Sequence, residues 1–113
     1  MKIFHYDKVK AKDAGDGASK LTVRWLITKE IGAENFAMRL FEMEPGGYSP
    51  LHTHPWEHEV FILDGAGAVF DGEKASAFKA GDVVFVPSDE RHQFRNNGKK
   101  TLKFLCLIPY TKE

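Results

Sequence analysis

The chain is built from short apolar runs, each closed by glycine, proline or asparagine before it reaches the length of a stable helix. In "LTVRWLITK" (21–29), Leu21, Val23, Trp25 and Ile27 fall on one face at period two, the signature of a half-buried strand. "NFAMRLFEME" (35–44) reads as a second strand that stops at "PGG". "EVFILDG" (59–65) runs into a glycine turn, and "DVVFVP" (82–87) is closed by Pro87. "AVFDGEKASAF" (68–78) reads as a hairpin with Asp71-Gly72 as its tight turn, and "RHQFRNNGKKTLKFLCLI" (91–108) as a second hairpin around "NNGK". No segment carries a helix-length 3.6-residue period. Strands at this spacing predict an all-β sandwich or barrel. The small, polar segment 11–20 is expected to be a loop without chemistry.

A chain of 113 residues has room for one domain, 1–113, and not for two. Its formal charge of zero gives no electrostatic reason to expect nucleic acid or an anionic membrane as partner. No apolar run is long enough for a membrane span, and the N-terminal residues show no secretory signal. Cys106 is the only cysteine, so no intrachain disulfide forms, and a cytoplasmic setting is expected. In "LKFLCLI", Leu102, Phe104, Cys106 and Ile108 share one face, while Lys103 shares the other with Leu105 and Leu107. A strand apolar on both faces is usually covered on both. In so small a chain a second copy would supply the cover, so a homodimer is expected.

The segment "HTHPWEHE" (52–59) gathers three of the chain's five histidines. Residues i and i+2 of a strand project together, with Cα atoms about 6.5–7 Å apart. His52 and His54 can therefore reach one ion at roughly 2.0–2.2 Å per bond. Pro55 ends that strand, and His58 can return to the same ion from the next one. A solvated histidine patch is the competing reading of these residues.

From Gly46 to Gly65, "GGYSPLHTHPWEHEVFILDG" resembles the first motif of the cupins: Gly, five residues, His-x-His, three or four residues, Glu, six residues, Gly. From Gly81 to Asn96, "GDVVFVPSDERHQFRN" resembles the second: Gly, five residues, Pro-x-Gly, two residues, His, three residues, Asn. Gly81, Pro87, His92 and Asn96 match, and Asp89 replaces the second glycine. Asp tolerates positive φ. The resemblance implies a double-stranded β-helix, or jelly-roll barrel, of the small cupin-2 type, with a metal in its mouth and His92 among the ligands. The motif's carboxylate position is displaced, because counting back from Gly65 selects His58 and the Glu has slid to 59. Neighbours on a strand face opposite ways, so only one can join. We expect His52, His54, His58 and His92, resembling the four-histidine variant of small prokaryotic cupins; the alternative replaces His58 with Glu59.

Four neutral imidazoles would leave a divalent ion its full charge, which favours the lower oxidation state and an anionic substrate. Four ligands close a tetrahedral zinc site but leave two positions open on a six-coordinate ion. One divalent transition metal per chain is expected, with manganese or iron favoured; nickel, copper and zinc also suit imidazole. Around it, Arg39, Trp56, Phe104 and Cys106 are candidates for lining a pocket. Arg39 breaks the apolar run "FAMRLF"; inward it would meet an anionic substrate, outward it would be solvated. Trp56 is a pocket wall or a core or interface aromatic. Cys106 reads as a packing residue before a reactive thiol. Glu57 and Glu59 could fix a ligand's tautomer or simply be solvated. His5, outside both motifs, is expected to be exposed and ordinary. The resemblance implies a metal-dependent oxygenase or related oxidoreductase on a small organic molecule; the alternative is a non-catalytic module that binds or senses a metal or small ligand.

Overall fold

The computed structural model describes residues 1–110; the last three residues of the expected domain lie outside them. Nine strands form one strongly curled sheet: β1 (Lys12–Asp13), β2 (Ser19–Ile27), β3 (Phe36–Tyr48), β4 (His58–Asp64), β5 (Ala66–Phe70), β6 (Ala75–Lys79), β7 (Val83–Val86), β8 (Gln93–Arg95) and β9 (Leu102–Pro109). The strand order is β6-β5-β8-β3-β9-β4-β7, with β2 on β3 and β1 on β2. Every pairing is antiparallel. Two single-turn 3₁₀ segments, Tyr6–Lys8 and Lys29–Ile31, are the only helical elements among the described residues, and no helix is long and apolar enough to cross a membrane. The all-β barrel expected from the period-two runs is what forms.

The period-two patterns place the core. Met43, Ile62 and Leu102 are fully buried, and Leu21, Val60, Phe94, Phe104 and Cys106 pack with them. On β9, Leu102, Phe104 and Cys106 point inward as the alternation predicts, and Ile108 is half-buried at the open end. β2 behaves likewise only over its first half. Leu21 and Val23 are buried, whereas Trp25 and Ile27 emerge where a register shift interrupts the pairing with β3.

Three sequence expectations need correction. The segment 35–44 does not stop at "PGG": β3 continues to Tyr48, pairing Ser19 with Tyr48 and then Leu21 with Met43. The residues between form a bulge, which places proline where it costs no ladder bond. Gly46 adopts φ +85°, and a Cβ on Gly47 would lie 2.7 Å from the Ser19 carbonyl, so neither position readily takes a side chain. The segment 11–20 is not wholly a loop, because it contains β1 and the start of β2. The third correction concerns 91–108. β8 and β9 are not a hairpin: β8 pairs with β5 and the end of β3, while β9 lies between β3 and β4. The buried Asn96 side chain directs this crossover. Its amide donates to the carbonyls of Met43 (2.8 Å) and Lys100 (2.9 Å), and its oxygen accepts from Gly98 N–H (2.9 Å).

The 68–78 hairpin forms, as β5 and β6, but around a four-residue turn. Asp71 N–H donates to the Lys74 carbonyl, and the Asp71 carboxylate accepts from the N–H groups of Glu73 and Lys74. The Asx geometry of Asp71 therefore matters as much as Gly72.

Candidate metal centre

Backbone pairing assembles the histidines. His52 and His92 exchange both backbone hydrogen bonds, at 3.0 and 3.2 Å, so two loops distant in sequence present their side chains together. Asp89 N–H donates to the His54 carbonyl at 2.8 Å, with Asp89 at φ +67°. The left-handed turn that glycine makes in the family motif is thus made here by aspartate. His58 opens β4 and faces inward, opposite Val86 of β7.

One nitrogen of each of His52, His54, His58 and His92 lies within 4.8 Å of the others. Two nitrogens on one ion at about 2.1 Å lie roughly 3–4 Å apart, so small side-chain movements bring all four to bonding distance. The donor chemistry fits a metal as well. His54 Nδ1 donates to the Trp56 carbonyl (2.9 Å) and His92 Nδ1 to the Glu90 carbonyl (2.8 Å). Since carbonyls only accept, both imidazoles carry their proton on Nδ1 and turn a bare Nε2 to the cluster. His92 Nε2 is buried with no hydrogen-bond partner, an orphan that an ion would satisfy. The four-histidine group could therefore hold a metal ion.

His58 Nδ1 meets no carbonyl. That atom faces Cys106 Sγ at 3.0 Å and Arg39 Nη2 at 3.3 Å, while Nε2 lies 2.8 Å from His54 Nε2. Without metal, a proton on His58 Nε2 satisfies all these contacts: it donates to His54, and Arg39 donates to Nδ1. Metal binding through Nε2 requires the proton on Nδ1, where Cys106 Sγ becomes its acceptor. Burial, then the Arg39 guanidinium, then the neighbouring histidines lower the His58 pKa to about 3. Burial, followed by neighbouring imidazoles, also lowers His52 and His54. These three imidazoles are thus held in the neutral form that a metal needs.

Glu59 lies on the opposite face of β4 and is exposed, so the carboxylate alternative points away from the cluster. The neighbouring Glu59 carboxylate raises the Glu57 pKa; backbone carbonyls, not these carboxylates, orient His54 and His92. Trp56 does not line the cavity. Its indole stacks on the His54 imidazole at 4.2 Å and 9° and borders an outer groove beside Tyr110. Arg39, Phe104 and Cys106 do line the cavity, a space of about 160 Å³ beside His52, His58 and His92. Arg39 points inward because its β3 position pairs with Cys106 of β9, and its Nη2 donates to Cys106 Sγ at 3.1 Å. Burial raises the Cys106 pKa, with Arg39 opposing, and the buried side chain fills the role of a packing residue. His5 is exposed, accepting from Asp7 N–H at the start of a 3₁₀ turn. The carbonyls of Trp56 and Glu90, and Ala14 in the cavity wall, have no sequence signal that marks them for these roles.

A curled antiparallel barrel with four imidazoles converging in its mouth defines a β-barrel of the jelly-roll class with a candidate metal site. The cupin-domain profile matches residues 39–108, and the chain belongs to the cupin family. It is 38% identical over 96 residues to an oxalate-binding protein of Thermotoga maritima, covering 81% of this chain and 78% of that protein. It is 33% identical over 102 residues to the 1-methylthio-D-xylulose 5-phosphate methylsulfurylase of Rhodospirillum rubrum, covering 90% of this chain but only 65% of that enzyme, just under two thirds of its length. The polyketide cyclase RemF from Streptomyces resistomycificus superposes with a TM-score of 0.90 at 35% identity, covering 96% of this chain and 79% of RemF.

Proposed function

We propose that this cupin is a metal-dependent enzyme, an oxygenase or related oxidoreductase acting on a small organic molecule, with His52, His54, His58 and His92 holding one divalent ion, manganese or iron in preference to nickel, copper or zinc. The observation that carries this reading is the convergence of four imidazoles beside a cavity. When bound, such an ion supplies Lewis acidity and coordination positions open to small ligands. The chain's residues do the rest. The backbone carbonyls of Trp56 and Glu90 fix two ligand tautomers, and Cys106 accepts a hydrogen bond from the Nδ1–H of a third. Among the described residues no carboxylate lines the cavity, which favours redox or Lewis-acid chemistry over acid–base isomerisation.

A binding module without turnover is the second reading, favoured by the resemblance to a protein named for oxalate binding. Oxygen uptake by metal-loaded protein, measured over phenolic, enolic and thiol compounds, separates the two. Uptake that requires both metal and one compound supports the oxygenase. Silence across the panel with one metal bound per chain favours the module.

We also propose that the chain works as a homodimer. The outer face of β4, β7 and β9 is apolar: Phe61 opposes Val83 and Leu105, and Phe85 lies across Glu59 from Leu107. Phe85 is 61% exposed and Val83 74%, and a second copy laid on this face would cover both.

A further inference from the structure

We propose that the cavity selects an anion on a compact apolar body, a ring-sized carboxylate, and that Arg39 is the residue that recognises its charge. This inference rests on the metal-centre reading and extends it to the ligand. Arg39 is an unpaired cation: among the described residues no carboxylate forms an ion pair with it. Among the described residues its Nε is buried without a hydrogen-bond partner, and the guanidinium's hydrogen-bond contacts there are Cys106 Sγ and His58 Nδ1. The guanidinium lies over the rings of Phe41, at 4.8 Å, and Trp25, at 5.3 Å. Those contacts hold it in place but leave its charge without a counter-ion. A guanidinium has five donors in a fork suited to a carboxylate.

Size and wall chemistry define the remainder of the ligand. Phe41 stacks on Phe104 at 5.2 Å, and Phe104 on Phe94 at 5.1 Å. The three rings, with Leu21, wall the space of about 160 Å³. A dry apolar cavity of about 150 Å³ admits benzene, so one ring or its aliphatic equivalent fits.

The metal strengthens this recognition. Once the His58 proton sits on Nδ1, Arg39 Nη2–H and Nδ1–H are two donors facing each other at 3.3 Å. The guanidinium then loses that acceptor, and the Nη2–H that faced it becomes available to an anion. Metal loading and anion binding therefore reinforce each other, as coupled sites must do in both directions.

Benzoate and its neutral isostere benzamide test this on cobalt-loaded protein, followed by the visible cobalt spectrum and by calorimetry. Benzoate is expected to bind wild type at least about tenfold more tightly than benzamide, the worth of a hydrogen-bonded charge. It should also bind loaded protein more tightly than metal-free protein. In Arg39→Met that preference should vanish while cobalt stoichiometry stays at the wild-type value; Arg39→Lys should retain part of it. Benzoate binding to Arg39→Met within about twofold of wild type overturns the proposal. So does a wild type that fails to prefer benzoate, a result that stands even if a variant does not fold. A wild type that takes up no cobalt overturns the metal centre as well, which separates the two failures.

Discussion

His58 occupies the position where the family motif and this chain part company. Replacing His58 or His92 by Ala should abolish metal retention through gel filtration, measured by elemental analysis, while Glu59→Gln should keep it. The same residue governs acid sensitivity. With a folded-state pKa of about 3 against an ordinary 6.5, His58 refuses a proton that the unfolded chain accepts. The metal-free protein should therefore lose stability progressively as pH falls from about 6.5 towards 3, seen as falling urea midpoints. His58→Asn should flatten that slope. Much of this was legible in sequence: strand parity admitted only one of His58 and Glu59, the motif spacing back from Gly65 selected His58, and Asp89 at φ +67° makes the left-handed turn that aspartate tolerates. The inward direction of Arg39 and its contact with Cys106, 67 residues away, were not, because alternation alone cannot choose which face of a strand meets the core.

The strands show where local reading gives way to partners it cannot see. Apolar alternation found nearly every strand, yet "PGG" looked like an end and is a bulge, since the pairing of Ser19 with Tyr48 supplies a ladder that no local signal encodes. Likewise "NNG" has the chemistry of a hairpin turn, but Asn96 spends its side chain on Met43 and Lys100 and sends β9 to different neighbours. Gly47→Ala should cost about 1–3 kcal/mol in urea denaturation, because its Cβ would press on backbone oxygen. Asn96→Ala should cost about 3 kcal/mol, because it strands two carbonyls, one of them in the core, without their donor.

For the molecule entire, ligand and partner both act through mass action. Metal held at 100 times its dissociation constant should stabilise the fold by about 2.7 kcal/mol, visible as a chelator-reversible rise in Tm. Light scattering after size exclusion should give twice the chain mass, and Phe85→Lys, which puts charge on the exposed sheet face, should halve it without altering metal content. A wild type that elutes at one chain mass at every concentration would remove the dimer proposal and leave the metal centre untouched.

The stack of Trp56 on His54 turns the chain into its own optical gauge. The sequence holds two tryptophans: one rests against the His54 imidazole at 4.2 Å, the other against the Arg39 guanidinium at 5.3 Å. Cobalt or copper entering the cluster should dim Trp56 emission, whereas zinc, with its filled d shell, should leave it bright. In a Trp25→Phe background the emission that remains comes from Trp56 alone, so occupancy of the centre can be followed in real time without a dye or a substrate.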